Sequence, residues 1–213
     1  MSDPVSSKEK VLKKLRKALL QKDIFFNPEL DFDSDVFVKD ERPLLEVFYH
    51  NFIAADGKIM FCRNPYHFLE MFLSIAEMKG WQQVLCLEDG LKNLLQQCEF
   101  PFLFDAKEST VADVGITGCD ALVARTGSIL LNTKNTLSRA ISAFPPVHVV
   151  ISYRNQLEYG FKDYFKKNDG TQTSSWSILT GPSRTSDIER ELVLGAHGPK
   201  ELYLFILDED RQH

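Results

Sequence analysis

Two short runs hold the residue types best suited to chemistry. Arg125-Thr126-Gly127-Ser128 puts a guanidinium, two hydroxyls and a glycine side by side, and Gly181-Pro182-Ser183-Arg184-Thr185 repeats that mixture further along. Backbone amides, hydroxyls and an arginine converging on one point suit a phosphate or a carboxylate. The candidate ligand-binding residues are therefore Arg125, Thr126, Gly127, Ser128, Gly181, Ser183, Arg184 and Thr185. For the first run there is also a plainer reading, a hairpin turn with its glycine at positive φ.

The second run continues into Ser186-Asp187-Ile188-Glu189, the spacing of a capping box, and predicts a helix starting there. Its N-terminus would add positive partial charge beside the anion. Capping by itself accounts for Ser186, Asp187 and Glu189. The alternative is chemical: Glu189, or else Asp187, as general base or nucleophile. Both roles stay open on the sequence, whereas Ser183 and Arg184 have no capping task. His197, in the turn between Gly195 and Gly198, faces either solvent or a cleft.

These loops need a scaffold, and the chain from Pro43 onward alternates helical and strand-like patterns. PLLEVFYHNFIAAD reads as a helix, GKIMFC as a strand, and PYHFLEMFLSIAEMKG as a helix opened by Pro65 and closed by Gly80. The strand QQVLCL, the helix DGLKNLLQQC and a short strand near PFLF follow. ALVA-RTGS-ILL reads as a β-hairpin, PPVHVVIS as a strand, Tyr159–Lys167 as a helix, SWSIL as a strand, and ELYLFIL closes the sheet. Strands separated by helices of this length imply a mostly parallel sheet flanked by helices, an α/β fold. Residues 43–213 form that domain, and 1–42 a basic helix followed by an acidic extended arm.

Between residues 2 and 22 there are seven basic residues and two acidic ones, with Val11, Leu12, Leu15, Ala18 and Leu19 on one helical face. The plainer reading is a solvated cap on the core, which leaves a partner contact open. In the arm, Asp31, Asp33 and Asp35 imitate a calcium loop, but its sixth and twelfth positions are Val36 and Arg42, not Gly and Glu. The calcium reading fails.

Composition narrows the function. A net charge of −5 argues against a nucleic-acid binder, and 44% hydrophobic with 26% charged residues is ordinary for a water-soluble domain. Neither a membrane-spanning run nor a secretory leader is apparent, so the expected location is the cytoplasm. Cys62, Cys86, Cys98 and Cys119 form no Cys-x-x-Cys, and the five histidines share no ligand spacing. No metal site is expected, and Cys62 and Cys86 read as buried thiols. The Rossmann, Walker, HExxH and GxSxG signatures are all missing.

GITGCDALVARTGSILLNT, then FPPVHVVI, then TGPSRTSDIERELVLGAHGPKELYLFIL together resemble the LUD domain of lactate-utilization proteins, in its single-domain form. The resemblance spans roughly residues 45–207 and is sharpest from 113 onward. It implies a fold similar to the ribose-phosphate isomerase, glucosamine-phosphate deaminase and CoA-transferase group, with the two loops lining one cleft. It also implies a part in oxidising L-lactate to pyruvate beside iron–sulfur partner subunits, which would carry the clusters while this chain binds no cofactor. It assigns no catalytic side chain. The competing expectation is a free-standing enzyme or binding protein for a sugar phosphate or acyl-CoA. Catalysis by the isolated chain is left undecided.

Overall fold

Val147–Tyr153 (VHVVISY) and Glu201–Leu207 (ELYLFIL) are largely apolar and buried at six of seven positions each, the mark of strands covered on both faces. In the computed structural model they lie side by side in a six-stranded, wholly parallel sheet. The structure describes residues 7–20, 40–96, 100–132, 141, 144–168, 175–186, 192–194 and 198–209. The chain divides into two units, 1–39 and 40–213. Within the first, α1 runs over Ser7–Leu20, with Glu9 in its first turn and Lys17 in its last. Most of the arm, including Asp31, Asp33 and Asp35, lies outside the described residues.

In the second unit the elements follow the expected alternation. α2 (Leu44–Ala54), β1 (Lys58–Cys62), α3 (Pro65–Lys79), β2 (Val84–Cys86), α4 (Asp89–Leu95), β3 (Phe102–Leu103) and β4 (Val114–Thr117) come first. The hairpin β5 (Ala121–Val123) and β6 (Ser128–Asn132) is next, then β7 (Val147–Tyr153), β8 (Leu157–Glu158), α5 (Phe161–Lys167) and β9 (Trp176–Leu179). β10 (Arg184–Ser186), β11 (Leu192–Leu194) and β12 (Glu201–Leu207) finish the chain. The main sheet has the order β1-β12-β7-β4-β2-β3, so the last strand inserts between β1 and β7 and does not lie at an edge. A mixed sheet, β8-β5-β6-β9, forms a second hydrogen-bonded layer.

Alternating side chains of the main sheet feed two apolar layers. Val147, Val149 and Ile151 join Phe68, Phe72 and Ala76 of α3 on one face. Val150, Leu204 and Ile206 meet Phe48 and Phe52 of α2, with Leu122 and Ile129 of the mixed sheet, on the other. Cys62 and Cys86 are buried in the first layer, and desolvation pushes their thiols up to about 11 and about 12, so neither is a thiolate at neutral pH.

α3 shows how local sequence sets an element's limits. Asn64 accepts the His67 N–H at 2.9 Å, Pro65 occupies the first turn, and Gly80 ends the helix in the left-handed region at φ 68°. Asn64→Ala is expected to cost about 1 kcal/mol, read as a lower urea midpoint with unchanged m-value.

One expected element is corrected. Ser186 is a strand residue, and no helix runs on from it through Leu192–Leu194: Arg184, Thr185 and Ser186 pair antiparallel with Leu194, Val193 and Leu192. A four-residue capping pattern is a weak local signal, and the β-branched Thr185 and Val193 favour the ribbon that forms. Asp187, Glu189 and His197 lie outside the described residues.

Candidate functional site

The C-terminal end of α2 is the platform on which the two flagged loops meet. Asn51 Nδ2 donates to the carbonyls of Ala124 and Arg125 at 2.9 and 3.1 Å, which holds the β5–β6 turn against the helix. Gly127, at φ 62°, permits that approach, since a Cβ there would lie 2.5 Å from backbone atoms of Asn51 and Phe52. Gly181 does the same for the second loop: at φ 89°, its Cβ would lie 2.1 Å from the Ala55 carbonyl oxygen.

The hydroxyls join across this junction. β6 pairs with β9, placing Ser128 beside Thr180 with their oxygens 2.7 Å apart, and Ser128 donates to Thr126 Oγ1 at 2.8 Å. A serine has one proton to give, so the Ser128–Thr180 bond is donated by Thr180. The Thr126 O–H is then the donor left uncommitted among the described residues. Ser128, the middle member, is buried, Thr126 is half-buried and Thr180 exposed, so the file reaches outward from a buried hydroxyl at both ends.

The remaining candidates separate. Arg184 turns back to α2, where its Nη2 donates to the Ala55 carbonyl at 2.9 Å and pairs with Asp56. A cation at a helix C-terminus satisfies leftover carbonyls and suits the helix dipole. Its task is thus at least partly structural, which the sequence concealed because Asp56 is distant in the chain. Ser183 is tied by its N–H to the Pro199 carbonyl at 2.8 Å. Arg125, half-buried, donates its N–H to the Tyr159 carbonyl at 3.0 Å. Thr185 is a strand residue opposite Val193. Asn51 and Thr180 were not foreseen. Thr180 carried a weak signal, a hydroxyl directly before Gly-Pro, and Asn51 carried none. Among the described residues no group of three or more His, Cys, Asp or Glu could hold a metal ion. Among those residues, too, no helix is long and apolar enough to cross a membrane.

Known proteins share this part of the chain. The LUD-domain family model matches residues 105–207, from just before the 3-10 turn that precedes β4 to the end of β12. Lactate utilization protein C of Shouchella clausii is 29% identical over 108 residues, 48% of this chain and 47% of that protein. The protein of that name from Bacillus subtilis is 30% identical over 109 residues, covering 48% and 45%. Geobacillus kaustophilus has another, 33% identical over 112 residues, covering 49% and 45%. The chain matches about half the length of these curated relatives. A crystal structure of a DUF162 family protein from Deinococcus radiodurans superposes with a TM-score of 0.56 at 17% identity, over 77% of this chain and 96% of that one. At that identity the likeness speaks for the fold.

Proposed function

We propose that this chain, whose residues 105–207 match the LUD-domain family model, serves lactate utilization as a subunit of an iron–sulfur L-lactate-oxidising system. Relatives named for lactate utilization support the pathway. Oxidising L-lactate to pyruvate releases two electrons and two protons. In this reading iron–sulfur partner subunits take the electrons, and this chain binds and orients a small carboxylate. Its own Cys62 and Cys86 lie in one apolar layer and Cys119 in the other, a poor donor set for a cluster.

The observation that carries the binding role is the uncommitted Thr126 hydroxyl. It ends a hydrogen-bonded file that holds its oxygen in place, and Arg125 is its neighbour in the turn. A position fixed in advance reduces the entropy a ligand must overcome. Thr126→Val keeps the shape and removes the donor, so L-lactate or pyruvate affinity measured by calorimetry is expected to fall about tenfold, the worth of one hydrogen bond to a charged group. In the cell, deletion is expected to impair growth on L-lactate, and a pull-down to recover iron–sulfur proteins. Normal growth together with an empty pull-down refutes the reading. Turnover of a sugar phosphate or acyl-CoA by the isolated chain would transfer the site to an independent enzyme.

A further inference from the structure

A cavity of about 220 Å³ opens at the other end of α2, where the carboxyl ends of β1 and β12 and the residue after β7 come together. Its apolar wall is Leu45 from the first turn of α2, Phe61 from β1 and Ile206 from β12. Its rim carries Arg63, Arg154 and Asp208. The carboxyl edge of a parallel sheet is where α/β proteins generally hold ligands. Leu45 and Ala55 are ten residues apart on or capping α2, roughly 15 Å at helical rise, so this cavity is separate from the hydroxyl file.

The charges on the rim are not equivalent. Arg154 Nη1 is 2.7 Å from Asp208 Oδ1, so this pair is internally neutral. The Arg63 guanidinium has no hydrogen-bond or ion-pair partner among the described residues. One uncompensated cation thus stands beside an apolar wall, on which Phe61 is 48% exposed. Liquid water takes about 30 Å³ per molecule, so the space equals roughly seven waters and suits a ligand of comparable heavy-atom count.

We propose that this cavity binds a small amphiphilic carboxylate, its carboxylate on Arg63 and its hydrocarbon tail against Leu45, Phe61 and Ile206. The Arg154–Asp208 pair on the rim is already neutralised and offers no second cation, so a second carboxylate would be desolvated without compensation, which selects monocarboxylates over dicarboxylates. The site does not depend on the lactate reading, because it shares no residue with the hydroxyl file.

The test is a titration of the full chain with hexanoate, followed by calorimetry and by chemical-shift perturbation. Hexanol serves as the uncharged counterpart, acetate as the tailless anion and adipate as the dianion. Hexanoate is expected to bind saturably and at least tenfold more tightly than each of the three. Arg63→Gln, at an exposed side chain without a partner, is expected to weaken hexanoate tenfold or more with its melting temperature unchanged. Phe61→Ser should weaken hexanoate while leaving acetate as it was, and Thr126→Val should leave hexanoate binding intact. Non-saturable binding, hexanol matching hexanoate, or an Arg63→Gln chain that binds normally would each overturn the proposal.

Discussion

Gly181→Ala and Gly127→Ala are each expected to destabilise the protein by about 2–5 kcal/mol. Both glycines have φ in the left-handed region, where an L side chain costs about 1–2 kcal/mol. The added methyl would also overlap backbone that cannot swing aside: the Ala55 carbonyl oxygen at 2.1 Å, or the Asn51–Phe52 peptide at 2.5 Å. Overpacking of that kind adds about 1–3 kcal/mol. For a unit of this size the sum corresponds to a melting temperature lower by roughly 5–15 °C. Gly90→Ala is the control. It lies in α4 with nothing within 4 Å of a new Cβ, so the helical preference for Ala should leave it neutral or slightly stabilised. If Gly181→Ala melted within about 2 °C of the parent, the close docking of the second loop on α2 would be wrong. The consequence for function is direct, since displacing either loop breaks the Ser128–Thr180 link that orients Thr126.

That dependence explains what could be read from the chain and what could not. The β5–β6 hairpin was legible because its signal is local: apolar runs with a Gly turn between them, paired as Val123 with Ser128. α3 was legible for the same reason, with its cap, its proline and its closing glycine all in sequence. The parallel sheet followed from strands separated by helices of crossover length. Strand order did not follow, because no local pattern in the sequence records the insertion of β12 between β1 and β7. Within the site, residue types marked the two loops, and the glycines marked where backbone must come close. What they approach, Asn51 and Ala55 of α2, is set by tertiary packing across 70 or more residues, and so is the turning of Arg184 toward Asp56. The same limit hid the strand role of Ser186, whose local capping pattern gave no sign of its pairing with Leu192.

Acid should weaken the fold through one buried residue, His148. It lies on the central strand β7, fully buried, with Nε2 2.9 Å from Thr117 Oγ1 and Nδ1 without a partner among the described residues. Burial disfavours the charged ring and lowers its pKa from 6.5 to about 3. The unfolded chain therefore takes up a proton that the folded chain refuses. Stability is complete above pH 6.5 and falls by about 1.4 kcal/mol per pH unit below it, until the folded pKa near 3 is reached. At neutral pH the ring has one proton for two nitrogens, so whichever way Thr117 bonds, Nδ1 is left as an unsatisfied donor or acceptor at a cost of about 1–3 kcal/mol. Replacing His148 alone would strand the Thr117 hydroxyl in its place. The paired change Thr117→Val with His148→Leu removes both partners at once and is expected to be neutral or stabilising at pH 7. Urea unfolding at pH 7, 6, 5 and 4 should show its advantage over the parent widening with each step, because the other titrating groups are common to both proteins. Parallel stability curves for the two proteins over that range would mean that His148 is not the group that gates acid unfolding.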